Sequence, residues 1–187
     1  MARQTTVQDP TAIMYGSAVL EVQPYGGVAA WVNAGAIRGL TVTENVTATQ
    51  LAGDNADIAK YVSEHTLTIT FTQLEAMSED VREVVRGAFD TVNSTTPGEV
   101  TVSTGGRSTL PEFEVQITNT DEDGNPVVLH AFKVSLDSGY SLQFQDDNAE
   151  DPIVLNEVSM TAIPDITKSQ GAQLYSLRKV GRGLPIT

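Results

Sequence analysis

From Thr66 to Thr72 every second side chain is threonine, and Leu67, Ile69 and Phe71 between them are large and apolar. A period of two belongs to a strand, with the apolar side chains on one face and the four hydroxyls on the other. The second face is wettable yet uncharged, and β-branched residues satisfy strand propensity while forming it. The pattern predicts a sheet that presents a surface rather than one that holds a reactive group.

Strand patterns recur along the chain. Residues 12–15 and 17–22 read as a first strand that stops at the turn cluster Gln23-Pro24-Tyr25-Gly26-Gly27. A second pair runs from Trp31 through Gly35 into 37–43. In 44–63, Val46, Leu51, Ile58 and Tyr61 follow no single period and Gly53-Asp54-Asn55 signals a turn, so this stretch is expected to be a long protruding loop or hairpin arm. One helix is predicted over about 78–92. Ser78 can cap it, Glu79 and Asp80 suit its N-terminus, and Val81, Val84, Val85, Ala88, Phe89 and Val92 form its buried stripe. Arg82 and Arg86 are placed on its outer side. Strands over 99–103, 113–118, 127–136, 140–145 and 153–163 follow as a meander, with Asp123-Gly124 turning the middle hairpin. The expected architecture is mainly β, a sandwich or barrel of two packed antiparallel sheets flanked by one α-helix.

At 187 residues with 40% hydrophobic content, the chain suits one domain with one core. Polar arms are expected at 1–11 and 168–187. The N-terminal arm has one basic residue and no apolar stretch of signal-peptide length, and no window nears the roughly 18–20 apolar residues of a membrane span. A formal charge of −13 repels phosphate backbones, so tight nucleic-acid binding is disfavoured. The C-terminal arm runs against that balance, since Lys168, Arg178, Lys179 and Arg182 sit in it without an acidic residue. There is no cysteine, which removes disulfides, thiolate nucleophiles and cysteine metal sites together.

No catalytic chemistry is marked. His65 and His130 are the only histidines, neither sits in a triad or metal pattern, and both read as ordinary strand residues. The nucleophile elbow, the zinc-protease helix, the phosphate loop and the dinucleotide fingerprint are all absent. Residues 119–124 resemble the opening of a calcium loop, but the required glutamate is replaced by His130, so a hairpin turn is the simpler reading. Residues 146–151 read as a solvated acidic loop. Neither a cofactor nor a metal site is expected.

With chemistry set aside, the order of elements carries the information. A polar arm precedes Gly-Gly-Val-Ala-Ala-Trp-Val-Asn-Ala-Gly-Ala-Ile-Arg-Gly-Leu-Thr from Gly26. A long loop containing Asp54-Asn55 follows, then Thr-Leu-Thr-Ile-Thr-Phe, then a helix ending in Val-Arg-Gly-Ala-Phe-Asp at Val85 to Asp90. Over about Pro10 to Asp90 this resembles the tail tube (major tail) proteins of long-tailed bacteriophages, without the extra immunoglobulin-like C-terminal domain that some members carry.

The resemblance implies a structural virion protein of the tail, assembled in the host cytoplasm. It implies rings of six subunits stacked into a hollow tube, with sheets joined across subunits around a channel for DNA. Partners would be further copies, the tail terminator, baseplate or tip, tape measure and any sheath, with DNA a transient passenger and no membrane. By this analogy subunit and ring contacts fall on the long loop, through Glu44, Asn45, Leu51, Asp54, Asn55, Ile58 and Tyr61, and on the C-terminal arm, through Lys168, Arg178, Lys179 and Arg182. Candidates for carboxylates facing the channel are Glu112, Glu114, Asp121, Asp123, Asp146 and Asp147. The competing reading is a secreted or surface β-sandwich that binds a ligand with calcium through its acidic loops.

Overall fold

The computed structural model describes residues 14–52, 57–74, 79–87, 90–93, 101–105, 109–121, 124–137, 141–143 and 155–179. Within them the chain forms strands β1 (Met14–Pro24), β2 (Val32–Asn33), β3 (Ile37–Ala52) and β4 (Asp57–Gln73), then helix α1 (Glu79–Arg86). Strands β5 (Asp90–Asn93), β6 (Thr101–Thr104), β7 (Phe113–Asp121), β8 (Pro126–Leu136), β9 (Ser141–Gln143), β10 (Leu155–Ala162) and β11 (Tyr175–Lys179) follow. Nine strands hydrogen-bond in the order β2-β1-β7-β8-β10-β4-β3, with β11 on β8 and β9 on β10, while β5 and β6 form a separate pair.

Strand β8 is the corner of this sheet. One of its edges pairs with β7 along its length. The other pairs with β11 at Val127–Ala131 and with β10 at Val134–Leu136. The chain therefore builds two wings, β2-β1-β7-β8-β11 and β8-β10-β4-β3, that share one strand. The wings close on a single core in which Leu20, Val22, Phe113 and Val115 meet Leu67, Ile69, Phe71 and Met160. A sheet that carries apolar side chains on one face must bury that face, and folding it back on itself does so within one layer pair. The alternation at Thr66–Thr72 behaves as its pattern predicts: Leu67, Ile69 and Phe71 are at most 4% exposed, and Thr70 is exposed on the other face.

Several boundaries differ from the sequence expectation. The helix is eight residues long rather than spanning 78–92, because Gly87 takes φ +49°, the left-handed conformation that ends helices. Cβ at position 87 would lie 3.4 Å from Pro111, so the turn is also close-packed. Val92, expected on the helical stripe, belongs to β5; Ser78, Ala88 and Phe89 lie outside the described residues. Val81 and Val85 fill the core as expected. Arg86 does not lie on the outer side but is 8% exposed. Lastly, 175–179 of the expected C-terminal arm is an edge strand of the chain's own sheet, since Tyr175 pairs with Ala131 and Lys179 with Val127.

Candidate assembly surfaces

Three surfaces stand out, and the first is the β3–β4 hairpin. Strand β10 supports β4 only as far as Ala162↔Leu67. Past that point β3 and β4 pair with each other from Asn45↔Thr66 to Ala52↔Asp57. Eight residues at about 3.3 Å each carry this two-stranded ribbon roughly 26 Å beyond its supporting sheet. The segment expected as a protruding loop or hairpin arm is thus a hairpin of two continuous strands. Its irregular periodicity has a local cause, register shifts between Thr47 and Ala48 and between Leu51 and Ala52. Ser63 Oγ donates to the Thr47 carbonyl at 3.0 Å beside the first. A bulge inserts a residue on one strand and changes which side chains share a face.

The arm exposes apolar side chains on both faces. Directly opposed residues of an antiparallel pair point the same way. Val46 opposite His65 and Val62 opposite Ala48 therefore continue the core-side face of β3 and β4. Tyr61 opposite Thr49, and Leu51 two residues on, continue the threonine face. Val46, Leu51, Tyr61 and Val62 are 54–57% exposed. An isolated two-stranded ribbon is marginal in water.

The root of the arm is pinned. Glu44 Oε1 lies 2.6 Å from His65 Nε2, and Glu44 Oε2 accepts from the Tyr175 hydroxyl at 3.3 Å. Burial, followed by the charge and hydrogen bond of Glu44, pushes the Tyr175 phenol above its usual range. Asn45 Nδ2 donates to Thr68 Oγ1 at 2.9 Å on the opposite face.

The second surface is the threonine face, and it is wider than one strand. Register places Thr41, Thr70 and Ser159 in one row, and Thr43, Thr68, Thr161 and Ser135 in the next. Asp137 accepts from Ser159 Oγ at 2.8 Å and Thr161 Oγ1 at 2.9 Å, so the carboxylate at its margin is engaged with the hydroxyls beside it. The result is a four-strand face of hydroxyl groups with its charge at the border. Strand β3 forms its open edge.

The third surface is the outward face of the β1-β7-β8-β11 wing. Glu114 is 13% exposed at its side chain and is held by three donors: Gln23 Nε2 at 3.1 Å, the Gly26 amide at 3.1 Å and His130 Nε2 at 2.7 Å. It fastens the 24–31 turn to the sheet. His130 packs edge-on against Trp31 and Phe132, and Lys168 Nζ sits 4.2 Å from the Phe132 ring centroid. Glu112 pairs with Lys133 at 2.9 Å, and this hydrogen bond holds the lysine above its ordinary range.

The sequence-predicted residues therefore separate into groups. Glu44, Asn45, Leu51 and Tyr61 lie on the hairpin or its root, and Ile58 lies within β4. Arg178 and Lys179 lie in β11 opposite Val128 and Val127, with Lys168 in the loop before it. Glu112 and Glu114 are engaged inside the chain, and Asp121 ends β7. Asp54, Asn55, Asp123, Asp146, Asp147 and Arg182 lie outside the described residues. Both histidines pair with a glutamate on a neighbouring strand, a role that cross-strand register reveals and sequence spacing does not. Among the described residues no group of three histidine or carboxylate side chains could hold a metal ion, and no helix is long and apolar enough to cross a membrane.

No protein-family model matches the chain, and no curated protein matches it significantly. Solved structures do. A chain of the cryo-EM structure of the anti-feeding prophage tube-terminating cap matches with a TM-score of 0.51 and 11% identity, over 94% of this chain and 99% of that one. A chain of the 6-fold symmetrised anti-feeding prophage baseplate matches at 0.48 and 11% identity, covering 92% and 97%. A chain from the tail of an empty GTA particle, solved by helical refinement in C6 symmetry, matches at 0.44 and 10%, covering 87% and 95%. At these identities the likeness is one of architecture: over 94% of its length the chain shares its fold with a chain of the prophage cap structure.

Proposed function

We propose that the protein is a structural component of a phage-type tail, a tube subunit that stacks as six-membered rings into a hollow conduit for DNA. The observation that carries this reading is the hairpin arm, a ribbon of about 26 Å with exposed apolar residues on both faces and, among the described residues, only its root supported by the chain's own sheet. The fold shared with a chain of a tube-terminating cap supports it.

In this reading the arm reaches neighbouring subunits through Asn45, Leu51, Asp54, Asn55, Ile58 and Tyr61, with Glu44 at its root. Lys168, Arg178, Lys179 and Arg182 present positive charge to the acidic surface of the next copy, giving contacts that weaken with salt. The hydroxyl face suits a channel wall because it offers DNA few cations, Arg38 opposite Thr72 at its end being one, and hence little gain from counterion release. Acidic residues at the channel come from Glu112, Asp121, Asp123, Asp146 and Asp147. Glu114, already held by three donors on the outward face of the other wing, anchors the 24–31 turn instead of facing the channel. Further partners are a terminator, a baseplate or tip, a tape measure and, in a contractile tail, a sheath. The working location is the virion tail, with assembly in the host cytoplasm.

Sedimentation velocity over a rising protein concentration, with and without calcium, tests this. Growth from monomer to large species independent of calcium is expected. A monomer at every concentration that gains thermal stability only with calcium would instead identify a calcium-dependent binding module.

A further inference from the structure

The arm leaves the body where the two wings part. Strands β10 and β11 both run antiparallel to β8 on the same edge, β10 ending at Ala162 opposite Val134 and β11 starting at Tyr175 opposite Ala131. Between them the chain makes an excursion over 163–174. Strand β4 follows β10 only to Leu67, and beyond it β11 pairs with β8 and with neither strand of the arm. At the fork the Tyr175 side chain, which packs on the core, reaches the carboxylate of Glu44 on β3. Glu44 Oε1 meets His65 of β4 at the same time. One carboxylate thus joins three strands, two of the arm and one of the body.

We propose that Glu44 is a positioning residue that couples the C-terminal strand to the pitch of the arm: with β11 docked, Tyr175 fixes the arm's root, and without that bond the arm pivots about Leu67. The role of the arm in assembly rests on the function proposed above, but the coupling does not.

The physical basis is the placement of the bond. A hydrogen bond to a charged acceptor is stronger than a neutral one of equal length, and this one, long at 3.3 Å, acts on a ribbon that among the described residues has no other strand beside it past Leu67. The groups facing Glu44 are His65 across the hairpin and Tyr175 from the body, both of which can donate to it. Below the fork, β4 is held by seven register pairs with β10, so loss of the Tyr175 hydroxyl loosens the arm without opening the core.

Amide hydrogen exchange on the full-length unassembled protein tests the coupling. Tyr175→Phe removes the hydroxyl and keeps the ring that packs on the core. Peptides covering 44–48 and 62–66 are expected to exchange roughly three- to tenfold faster, with β7, β8 and the 67–73 half of β4 unchanged. Glu44→Ala, which removes both bonds, is expected to match or exceed this, and Ser176→Ala, on the opposite face of β11, to leave exchange as in the parent. Unchanged arm exchange in Tyr175→Phe overturns the proposal, as does faster exchange spread evenly over the whole chain. Because the readout needs no tube, a loosened arm in a protein that never polymerises would retain the coupling and reject only the tube function.

Discussion

Replacing Leu51 and Val62 together by threonine separates a functional arm from a merely protruding one. Both residues lie beyond the last contact of β10, on opposite faces of the ribbon, and are 54% and 57% exposed. Fully burying a side chain of this class stabilises by about 1.5–3 kcal/mol. Covering the exposed half of each in an interface therefore contributes roughly 0.8–1.5 kcal/mol, or about 1.5–3 kcal/mol for the pair. At about 1.4 kcal/mol per tenfold, the concentration at which polymer appears should rise about ten- to a hundredfold. The lower end is expected because threonine keeps one methyl. The unassembled protein should unfold within about 0.5 kcal/mol of the parent per substitution, since both side chains are more than half exposed and threonine suits a strand. Pelleting assays over a concentration series, with urea unfolding of the unassembled fraction alongside, give both quantities. An unchanged assembly threshold with unchanged stability would refute the arm as an interface. A large loss of stability would show instead that these side chains support the monomer.

Other outcomes follow from the same geometry. Phe113 is fully buried where β7 meets β8, so Phe113→Ala should cost about 3–5 kcal/mol in urea unfolding; a loss under about 1 kcal/mol would contradict the single shared core. Changing Arg178, Lys179 and Arg182 to glutamate should weaken assembly most at low salt, and identical polymer yields across a salt series would remove the basic segment from the interface. Asp165 accepts the side-chain hydroxyl and the amide of Thr167, which holds its carboxyl below the ordinary 3.8 despite its burial. Its contribution is thus present above pH 3.8 and lost as pH falls through the lower folded value. In acid titration of the parent against Asp165→Ala, the stability difference should shrink as the pH drops below that range, and a constant difference would discount the carboxylate.

Much of the fold was legible because it rests on short-range patterning. The alternation at Thr66–Thr72 declared its own buried and hydroxyl faces, and residues 113–118 and 127–136 fell within β7 and β8. The helix ends short of its apolar pattern, because Ala88, Phe89 and Val92 continue the stripe past Arg86 while the left-handed Gly87 stops the helix. The arm looked like a possible loop because a bulge breaks its alternation, and a ribbon with apolar groups on both faces has no clean amphipathic pattern to detect. Strand β11 was read as a tail because Tyr175-Ser-Leu-Arg-Lys is short, and only β8 supplies the free edge that makes it a strand. The engagement of Glu114 with Gln23, Gly26 and His130 spans up to 91 residues of sequence, and no local signal announces it. The hydroxyl face was visible on one strand; its extension across β3, β10 and β8 depends on cross-strand register.

The most direct test of the central claim is negative-stain electron microscopy of the purified protein over a rising concentration series with nothing added. Hollow tubes or stacked rings with six-fold end views are the predicted result. A field of single particles at every concentration, unchanged when preformed tail tips are supplied as seeds, would contradict it.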